Sequence, residues 1–368
     1  MKRIAYKGRI VFIVDMLSQP RCIKRVKAFY DDGFECHVYG YDRGKYDINV
    51  YPEGVKVFNL GIVRDREYFH KIIKTIKNIW NITRQYKQNH VIYYAFGFLQ
   101  AMLLRLLGRR YIYEISDILY AYPRFRYVLP LIKKIDKGLI RKSFITTMTS
   151  GGFYKFYGLK ESNIIILPNK VSTILNREAV QPIRQPLDHL SFGFVGSIRY
   201  ATVFRFAEVI GHYYPQHSFH FWGGTNPNLQ SLLNKEYRNV FWHGLFKNPS
   251  DLPSIYQSID VVVACYETKS LNERLAEPNK LYEALFFCKP IIVSDGIYLS
   301  ERVKELKCGF CIDASTVEQI KVFIDRLNVL DINKISEHEY LLPLEESVHD
   351  QKELNERVRG YFKDVFLL

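Results

Sequence analysis

Short runs of β-forming residues alternate with helical patterns along the whole chain, and this alternation constrains the fold more than any other feature of the sequence. Such alternation predicts βαβ units and a parallel sheet with helices on both faces, whose ligands bind at the carboxyl ends of the strands. The β-rich runs of the first half cover residues 9–15, 35–41, 55–60, 91–95, 110–115, 143–148 and 163–167.

Residues 65–88, between two of these runs, have the clearest helical pattern of the chain. Their apolar residues recur at i, i+3 and i+4 spacing, with Lys71 and Lys74 on the opposite side. The spacing predicts an amphipathic helix with one apolar face. That face comprises Phe69, Ile72, Ile73, Ile76, Ile79 and Trp80.

A second series of strands and helices follows a break that contains Pro182 and Pro186. We therefore predict an α/β protein with two Rossmann-like domains: residues 1–172, a linker at 173–190, and residues 191–343. Helical spacing after residue 344 predicts a closing helix at 344–368 that returns to the first domain. The β-rich runs of the second series cover residues 191–196, 218–222, 239–242, 260–264, 290–294 and 310–312.

Composition excludes several classes of protein. Hydrophobic residues make up 48% and charged residues 24% of the 368 residues, which is typical of a folded globular chain. The apolar stretch 96–107 is interrupted by Gln100 and Arg105, and the apolar block 10–14 stops at Asp15, so neither a transmembrane helix nor a secretion signal is expected. We expect a cytoplasmic protein with reduced cysteines. Cys308 and Cys311 lack a second ligand pair, so no metal is expected.

Positive charge is concentrated in the first half of the chain. The net charge is +14, but residues 1–170 contain 31 Lys and Arg against 13 Asp and Glu, whereas the remainder contains 21 against 25. Basic and apolar residues interleave over 122–142, a composition that suits an anionic membrane surface. We predict peripheral contact with the inner face of the cell membrane. The alternative is an ordinary amphipathic helix packed on the sheet.

Two phosphate-binding motifs are absent from the sequence, and a third pattern replaces them. Neither G-x-G-x-x-G nor a P-loop occurs, which disfavours a dehydrogenase or an NTPase, and no Asp-x-Asp metal clamp is present. At 277–285, Pro278 precedes a predicted helix start, where free N–H groups and the helix dipole attract an anion. Lys280 could neutralise a phosphate there, and Glu283 could accept hydrogen bonds from ribose hydroxyls.

The chain resembles GT-B glycosyltransferases, most closely the bacterial nucleotide-sugar-dependent enzymes of glycosyltransferase family four, also called group 1. The string PNKLYEALFFCKPIIVSD at 278–295 is similar to that family's "PNK-x-x-E" element. Shorter matches lie in the family's order along the chain, at 15–21, 31–34, 166–169, 194–197 and 239–244.

The resemblance implies that a sugar moves from a nucleoside diphosphate donor, UDP or GDP, in a cleft between the two domains. It implies that Glu283 binds the ribose. The remaining donor-binding residues implied by the resemblance are Gly196, Ser197, Asn279 and Lys280 at the diphosphate, and His243 to Phe246 beside the base. Many relatives have arginine directly after this glycine, where the chain has Ser197, so Arg199 is the candidate for the phosphate contact.

Two catalytic positions depart from the family pattern. The first glutamate of the family's pair would fall at Leu275, with Glu273 and Glu277 on either side, and we take Glu277 as a catalytic candidate. The position of the usual catalytic histidine holds Ser116, followed by Asp117. Asp117 is the second catalytic candidate, either as a base or as a donor-sugar ligand, with the alternative that it caps a helix.

The predicted function is transfer of a hexose to a glycan or a lipid-diphosphate-linked acceptor in bacterial surface polysaccharide synthesis. Retention of the anomeric configuration is favoured over inversion, and neither cofactor nor metal is expected. The alternatives are a GT-B epimerase or hydrolase that needs no acceptor, and a non-catalytic protein that binds polyanions or nucleic acid. No recognition helix or RNA-binding aromatic motif supports nucleic acid, so it is not an expected partner.

Overall fold

The computed structural model describes residues 8–42, 50–62, 68–87, 90–121, 127–183 and 189–366. The chain divides into two compact units. Unit 1 comprises the residues up to 167 and those from 350 onward, and unit 2 comprises residues 168–349.

Unit 1 is built on a seven-stranded parallel sheet with strand order β3-β2-β1-β4-β5-β6-β7. Three of its strands, β4, β5 and β6, are fully buried because helices cover both faces of the sheet. The strands are β1 (Arg9–Ile13), β2 (Glu35–Asp42), β3 (Lys56–Ile62), β4 (Val91–Phe96), β5 (Tyr111–Ile115), β6 (Ile145–Met148) and β7 (Ile164–Ile166). The helices are α1 (Pro20–Asp31), α2 (Tyr68–Arg84), α3 (Phe98–Leu106), α4 (Leu129–Lys142) and α5 (Gly151–Tyr157).

Unit 2 repeats the plan with a six-stranded parallel sheet in the order β10-β9-β8-β11-β12-β13. The strand order reverses beside β8, and in open sheets of this kind ligands bind at the carboxyl ends next to such a reversal. The strands are β8 (Ser191–Val195), β9 (Ser218–Trp222), β10 (Val240–Trp242), β11 (Val261–Ala264), β12 (Ile291–Ser294) and β13 (Gly309–Ile312). The helices are α6 (Ala201–Tyr213), α7 (Pro227–Leu233), α8 (Leu252–Gln257), α9 (Leu271–Leu275), α10 (Asn279–Phe287), α11 (Tyr298–Leu306), α12 (Val317–Arg326) and α13 (Val329–Leu341).

The last helix, α14 (Lys352–Phe366), belongs to unit 1 rather than to the unit that precedes it. Leu354, Val358 and Phe362 are fully buried in the core of unit 1, and Arg359 donates to the carboxylate of Asp32 at 2.5 Å. The prediction of two Rossmann-like parallel-sheet domains with a returning helix is confirmed.

The buried face of helix α2 is narrower than the apolar face predicted from the sequence. Thr75, Ile79 and Ile82 are buried, whereas Ile73 and Trp80 are 69% and 51% exposed. The apolar spacing identified the helix correctly, but only part of the apolar face packs inward. Small Thr75 and Thr83 occupy inward positions, so much of the isoleucine stripe remains at the surface.

A strongly buried ion cluster lies inside unit 1. The Glu114 side chain is fully buried and accepts hydrogen bonds from Arg25 Nε at 3.1 Å and from the Tyr94 hydroxyl at 2.6 Å. Arg21 Nε lies 2.8 Å from the other carboxylate oxygen, in a geometry too bent for a hydrogen bond. Arg25 also donates to the carbonyl of Leu167 at 2.7 Å, so this cluster ties α1 to β5 and to the end of β7.

None of the helices that the structure describes is both long enough and apolar enough to cross a membrane.

Candidate functional site

The carboxyl end of β8 turns sharply at Gly196, beside the first turn of α10. Gly196 has φ +130°, a conformation that other residues rarely adopt. A Cβ atom at this position would lie 2.9 Å from the ammonium nitrogen of Lys280. Glycine therefore allows the backbone of the β8 turn to lie directly against this ammonium group.

Lys280 is a buried cation at the start of a helix. Its side chain belongs to the first turn of α10, and the residue is only 6% exposed. The ammonium lies 4.5 Å from the ring centre of Phe194 and 5.7 Å from that of Tyr266. Within the described parts of the chain, no carboxylate forms an ion pair with it and no acceptor forms a hydrogen bond with it.

Burial lowers the pKa of Lys280, and the positive charge of Arg199 lowers it further, against the opposing effects of Tyr200 and Glu283. Arg199 itself is exposed and donates to the Tyr200 hydroxyl at 3.0 Å. Because buried charges in proteins are normally paired, the surroundings of Lys280 are those of a site that receives an anion.

Glu283 lies one turn further along α10 and is 4% exposed. Its Oε1 accepts from Asn279 Nδ2 at 2.7 Å, and its Oε2 accepts from the Tyr256 hydroxyl at 2.7 Å. Each carboxylate oxygen has two acceptor positions, so each retains one after these bonds. Glu283 is thus fixed in orientation and can still accept two further hydroxyl donors.

The candidates Glu277 and Asp117 lie in different units. Glu277 is 7% exposed, and its Oε1 accepts from the Tyr282 hydroxyl and from Arg302 Nε, the latter at 3.1 Å. Both partners belong to neighbouring helices, so the carboxylate is held within unit 2. Asp117 follows β5 in unit 1 and is exposed.

An aromatic stack lies at the carboxyl ends of β9 and β10. The His243 ring is parallel to that of Trp222, with ring centres 4.4 Å apart, and His243 Nε2 shares a hydrogen bond with His220 Nδ1 at 2.9 Å. Burial and the neighbouring His243 lower the pKa of His220 to about 4, and burial lowers the pKa of His243. Both rings are therefore neutral at pH 7. Phe246 is half-buried against the core of unit 2.

The structure brings most of the predicted donor residues to one edge of unit 2. Gly196, Lys280, Asn279 and Glu283 adjoin one another, and Ser197 and Arg199 follow the β8 turn. His243 directly follows β10, which is separated from β8 by β9. The sequence analysis did not identify three aromatic partners of these residues. The Tyr256 hydroxyl donates to Glu283, the Tyr266 ring lies near the Lys280 ammonium, and the Trp222 ring stacks on His243. No motif identified them, because each reaches the site from a separate element.

Comparison with known proteins agrees with this geometry. Residues 189–327 match the family model described as glycosyl transferases, group 1. The fold is GT-B. The resemblance predicted from the sequence is thereby confirmed, whereas no curated protein matches the chain.

Among solved structures, the GT-B fold recurs over nearly the whole chain at low identity. Sucrose-phosphate synthase from Thermosynechococcus elongatus has a TM-score of 0.74 at 12% identity, covering 98% of this chain and 99% of its own. HepE from Anabaena, solved with UDP and glucose, has a TM-score of 0.66 at 11% identity, covering 97% and 100%. WaaG, a glycosyltransferase of lipopolysaccharide biosynthesis, has a TM-score of 0.66 at 13% identity, covering 96% and 99%.

Proposed function

We propose that this protein transfers a hexose from a nucleoside diphosphate sugar, held by unit 2, to a glycan or a lipid-diphosphate-linked acceptor. The observation that carries the proposal is Lys280, a buried ammonium at the first turn of α10 that forms no ion pair with any residue the structure describes. A diphosphate supplies the missing negative charge. The helix N-terminus adds free N–H groups and a positive dipole to the same place.

The other residues of this edge fit the remaining parts of such a donor. Glu283 retains two acceptor positions, as a ribose with two free hydroxyls requires. The Arg199 guanidinium is exposed close by and can contact a phosphate oxygen. The stacked Trp222 and His243 rings offer a flat wall for a base. UDP is the nucleotide we favour, since HepE was solved with UDP and with UDP-glucose.

For the transfer step, we assign Asp117 to the acceptor side, where an exposed carboxylate can take a proton from a hydroxyl or hydrogen-bond the sugar. Glu277 is assigned a positioning role, because Arg302 and Tyr282 already hold its carboxylate. Retention of the anomeric configuration remains the favoured outcome. We propose no metal or cofactor for the reaction.

Calorimetric titration with UDP and GDP tests the donor site. Wild-type protein should bind at least one of the two nucleotides, and Glu283→Ala should weaken that binding at least about 10-fold, because two hydrogen bonds from the ribose to a charged group are lost. Glu283→Gln keeps an acceptor for the Tyr256 hydroxyl and provides a second variant for the test if Glu283→Ala misfolds. Glu318→Ala removes an exposed glutamate of the same unit and should bind like wild type. Absence of nucleotide binding by the wild type would overturn the proposal.

We also propose that unit 1 docks peripherally on the cytoplasmic face of an anionic membrane, which would place the protein near a lipid-linked acceptor. The outer faces of α2 and α4 expose Ile73, Trp80 and Leu131 at 69%, 51% and 62%. Residues 68–90 contain five Lys and Arg and no Asp or Glu. In α4, the acidic Asp136 is buried, where it accepts from Tyr113, Tyr120 and Tyr157.

The predicted segment 122–142 is described from residue 127 onward, and Arg124 and Arg126 lie outside the described residues. Within the described part, Asp136, Leu139 and Ile140 pack inward, so α4 is an amphipathic helix packed on unit 1. Leu131 and Ile135 remain exposed, and Lys134 is exposed beside them. Helix α4 is thus an amphipathic helix packed on unit 1, as the alternative interpretation of this segment predicted, and it still presents an apolar and basic outer face.

Vesicle sedimentation tests the membrane proposal. The protein should bind phosphatidylglycerol vesicles more tightly than phosphatidylcholine vesicles. The double variant Ile73→Ser/Trp80→Ser should lose at least about 10-fold in affinity, because two large apolar side chains no longer enter the interface. Leu330→Ser, an equally exposed leucine of unit 2, is the control and should bind like wild type. Equal binding by wild type and the double variant would refute this docking surface.

A further inference from the structure

A strongly basic cavity of about 450 Å³ lies in unit 1, away from the carboxyl ends of the strands. Its walls are formed where β5 and β6 begin and where α3 and α4 end, with Tyr361 of α14 closing one side. The amino ends of parallel strands lie at the opposite edge of the sheet from their carboxyl ends. The cavity is therefore separate from the sheet edge that carries Asp117.

Four cationic side chains line this cavity, and no carboxylate does so within the described ranges. They are Arg105, Arg109, Arg110 and Lys142. In those ranges none of the four forms an ion pair or a side-chain hydrogen bond. The Nε of Arg109 is buried and has no hydrogen-bond partner. Four like charges around one cavity repel one another, so an anion between them would relieve that repulsion.

Aromatic rings hold one of these cations in place. The Arg110 guanidinium lies 4.3 Å from the ring centre of Tyr361 and 5.6 Å from that of Phe144. The two rings are themselves 5.5 Å apart and tilted against each other. Stacking on aromatic rings fixes the plane of a guanidinium and leaves its N–H groups available to an oxyanion.

We infer that this cavity is a second anion site, which binds a group bearing one or more phosphates, independent of the donor site in unit 2. Guanidinium groups match phosphate oxygens with paired hydrogen bonds, and three arginines with one lysine balance the charge of a diphosphate. The volume exceeds that of a single phosphate and fits a small phosphorylated molecule. The same chemistry is offered by a soluble phosphate ester and by a lipid headgroup.

Calorimetry with inorganic pyrophosphate tests this site. The titration uses the Lys280→Gln variant as the parent protein, so that pyrophosphate binding at the donor site of unit 2 does not contribute. The result therefore does not depend on whether the proposed donor site is correct. This parent protein should bind pyrophosphate at one site, and adding Arg109→Gln and Arg110→Gln should weaken binding at least about 10-fold. Adding Lys155→Gln and Lys160→Gln removes the same charge from an exposed part of unit 1 and should change binding less than about 2-fold.

A chemical footprint on the wild-type chain avoids dependence on the variants. Phenylglyoxal should modify Arg105, Arg109 and Arg110, and saturating pyrophosphate should protect them. Sedimentation with phosphatidic acid vesicles distinguishes the two sources. If Arg109→Gln/Arg110→Gln loses pyrophosphate binding and still sediments with the vesicles as its parent protein does, the ligand is soluble. If vesicle binding also falls in this variant, the ligand is a lipid headgroup. Two results would overturn the inference: pyrophosphate binding that Arg109→Gln/Arg110→Gln leaves unchanged, or arginines that pyrophosphate does not protect from phenylglyoxal. These cations would then only stabilise the ends of the helices they belong to.

Discussion

Replacing Lys280 with methionine should weaken donor binding strongly and should leave the protein at least as stable as the wild type. The two effects have one cause. An ammonium that is 6% exposed and has no ion-pair partner among the described residues costs solvation free energy in the unliganded fold, and the diphosphate restores the lost interaction. Methionine keeps the length and apolar contacts of the side chain without the charge, so it should also pack against Phe194.

We expect Lys280→Met to weaken binding of the nucleotide about 100-fold, which corresponds to about 2.7 kcal/mol. The melting temperature of unit 2 should rise by roughly 2–4 °C if removal of the charge contributes about 1 kcal/mol. Calorimetry and thermal unfolding measure the two effects on the same samples. Lys334→Met, at an exposed position of unit 2, is the control and should change neither quantity. A variant that binds nucleotide like wild type would contradict the role of Lys280.

The stability difference should also depend on pH in a defined direction. The pKa of Lys280 lies below its ordinary value of 10.5 in the folded protein. Between the lowered pKa and 10.5, the unfolded chain binds a proton that the folded chain does not, so the free energy of unfolding of the wild type rises with pH. The advantage of Lys280→Met over the wild type should therefore shrink as the pH approaches 10.5.

Replacing Glu114 with alanine should cause the largest loss of stability among single changes in unit 1, about 3–5 kcal/mol. Arg25 and Glu114 are both fully buried, and truncating the carboxylate removes the charged partner of the Arg25 guanidinium, which still donates to the neutral Leu167 carbonyl. The Tyr94 hydroxyl also loses its acceptor at 2.6 Å, although Thr147 remains 3.2 Å away. The cost is that of a buried charge without its partner.

Urea unfolding followed by circular dichroism measures this loss. Glu161→Ala breaks an exposed ion pair with Arg141 and should cost less than about 1 kcal/mol. The double variant Arg25→Met/Glu114→Leu removes both fully buried charges and should be more stable than Glu114→Ala, because only Arg21, whose side chain is 16% exposed, then lacks its charged partner. If the double variant were less stable than Glu114→Ala, the loss would arise from packing rather than from the unpaired charge.

The fold could be predicted because its determinants are local in the sequence. Strand runs and helical spacing alternate over the chain, and an alternation of this kind permits few topologies other than parallel sheets. Leu354, Val358 and Phe362 likewise show a helical spacing whose buried face the structure confirms. The packing direction of α2 was not predictable in this way. Its stripe of isoleucines is wider than its buried face, and only the neighbouring sheet decides which part is covered.

The candidate site was predictable where one segment carries several of its groups. Asn279, Lys280 and Glu283 lie within five residues of one another at a helix start, so their spacing in the sequence fixes their positions in space. The Tyr256 hydroxyl that donates to Glu283 and the His220 ring beside His243 belong to other elements, and no sequence pattern predicts these contacts. The basic cavity of unit 1 is hidden for the same reason, because α3, α4 and α14 meet only in the folded chain.

The most direct test of the central claim is the release of nucleoside diphosphate from a panel of UDP- and GDP-hexoses, with and without a bacterial lipid extract as the source of acceptor. The account predicts that one donor is turned over by the wild type only when the extract is present, that its sugar appears in the lipid fraction, and that Lys280→Met is inactive. Release of free or epimerised sugar from the donor alone, at the same rate without the extract, would contradict transfer and indicate a hydrolase or an epimerase. Absence of turnover for every donor, together with absence of nucleotide binding, would contradict the donor site itself.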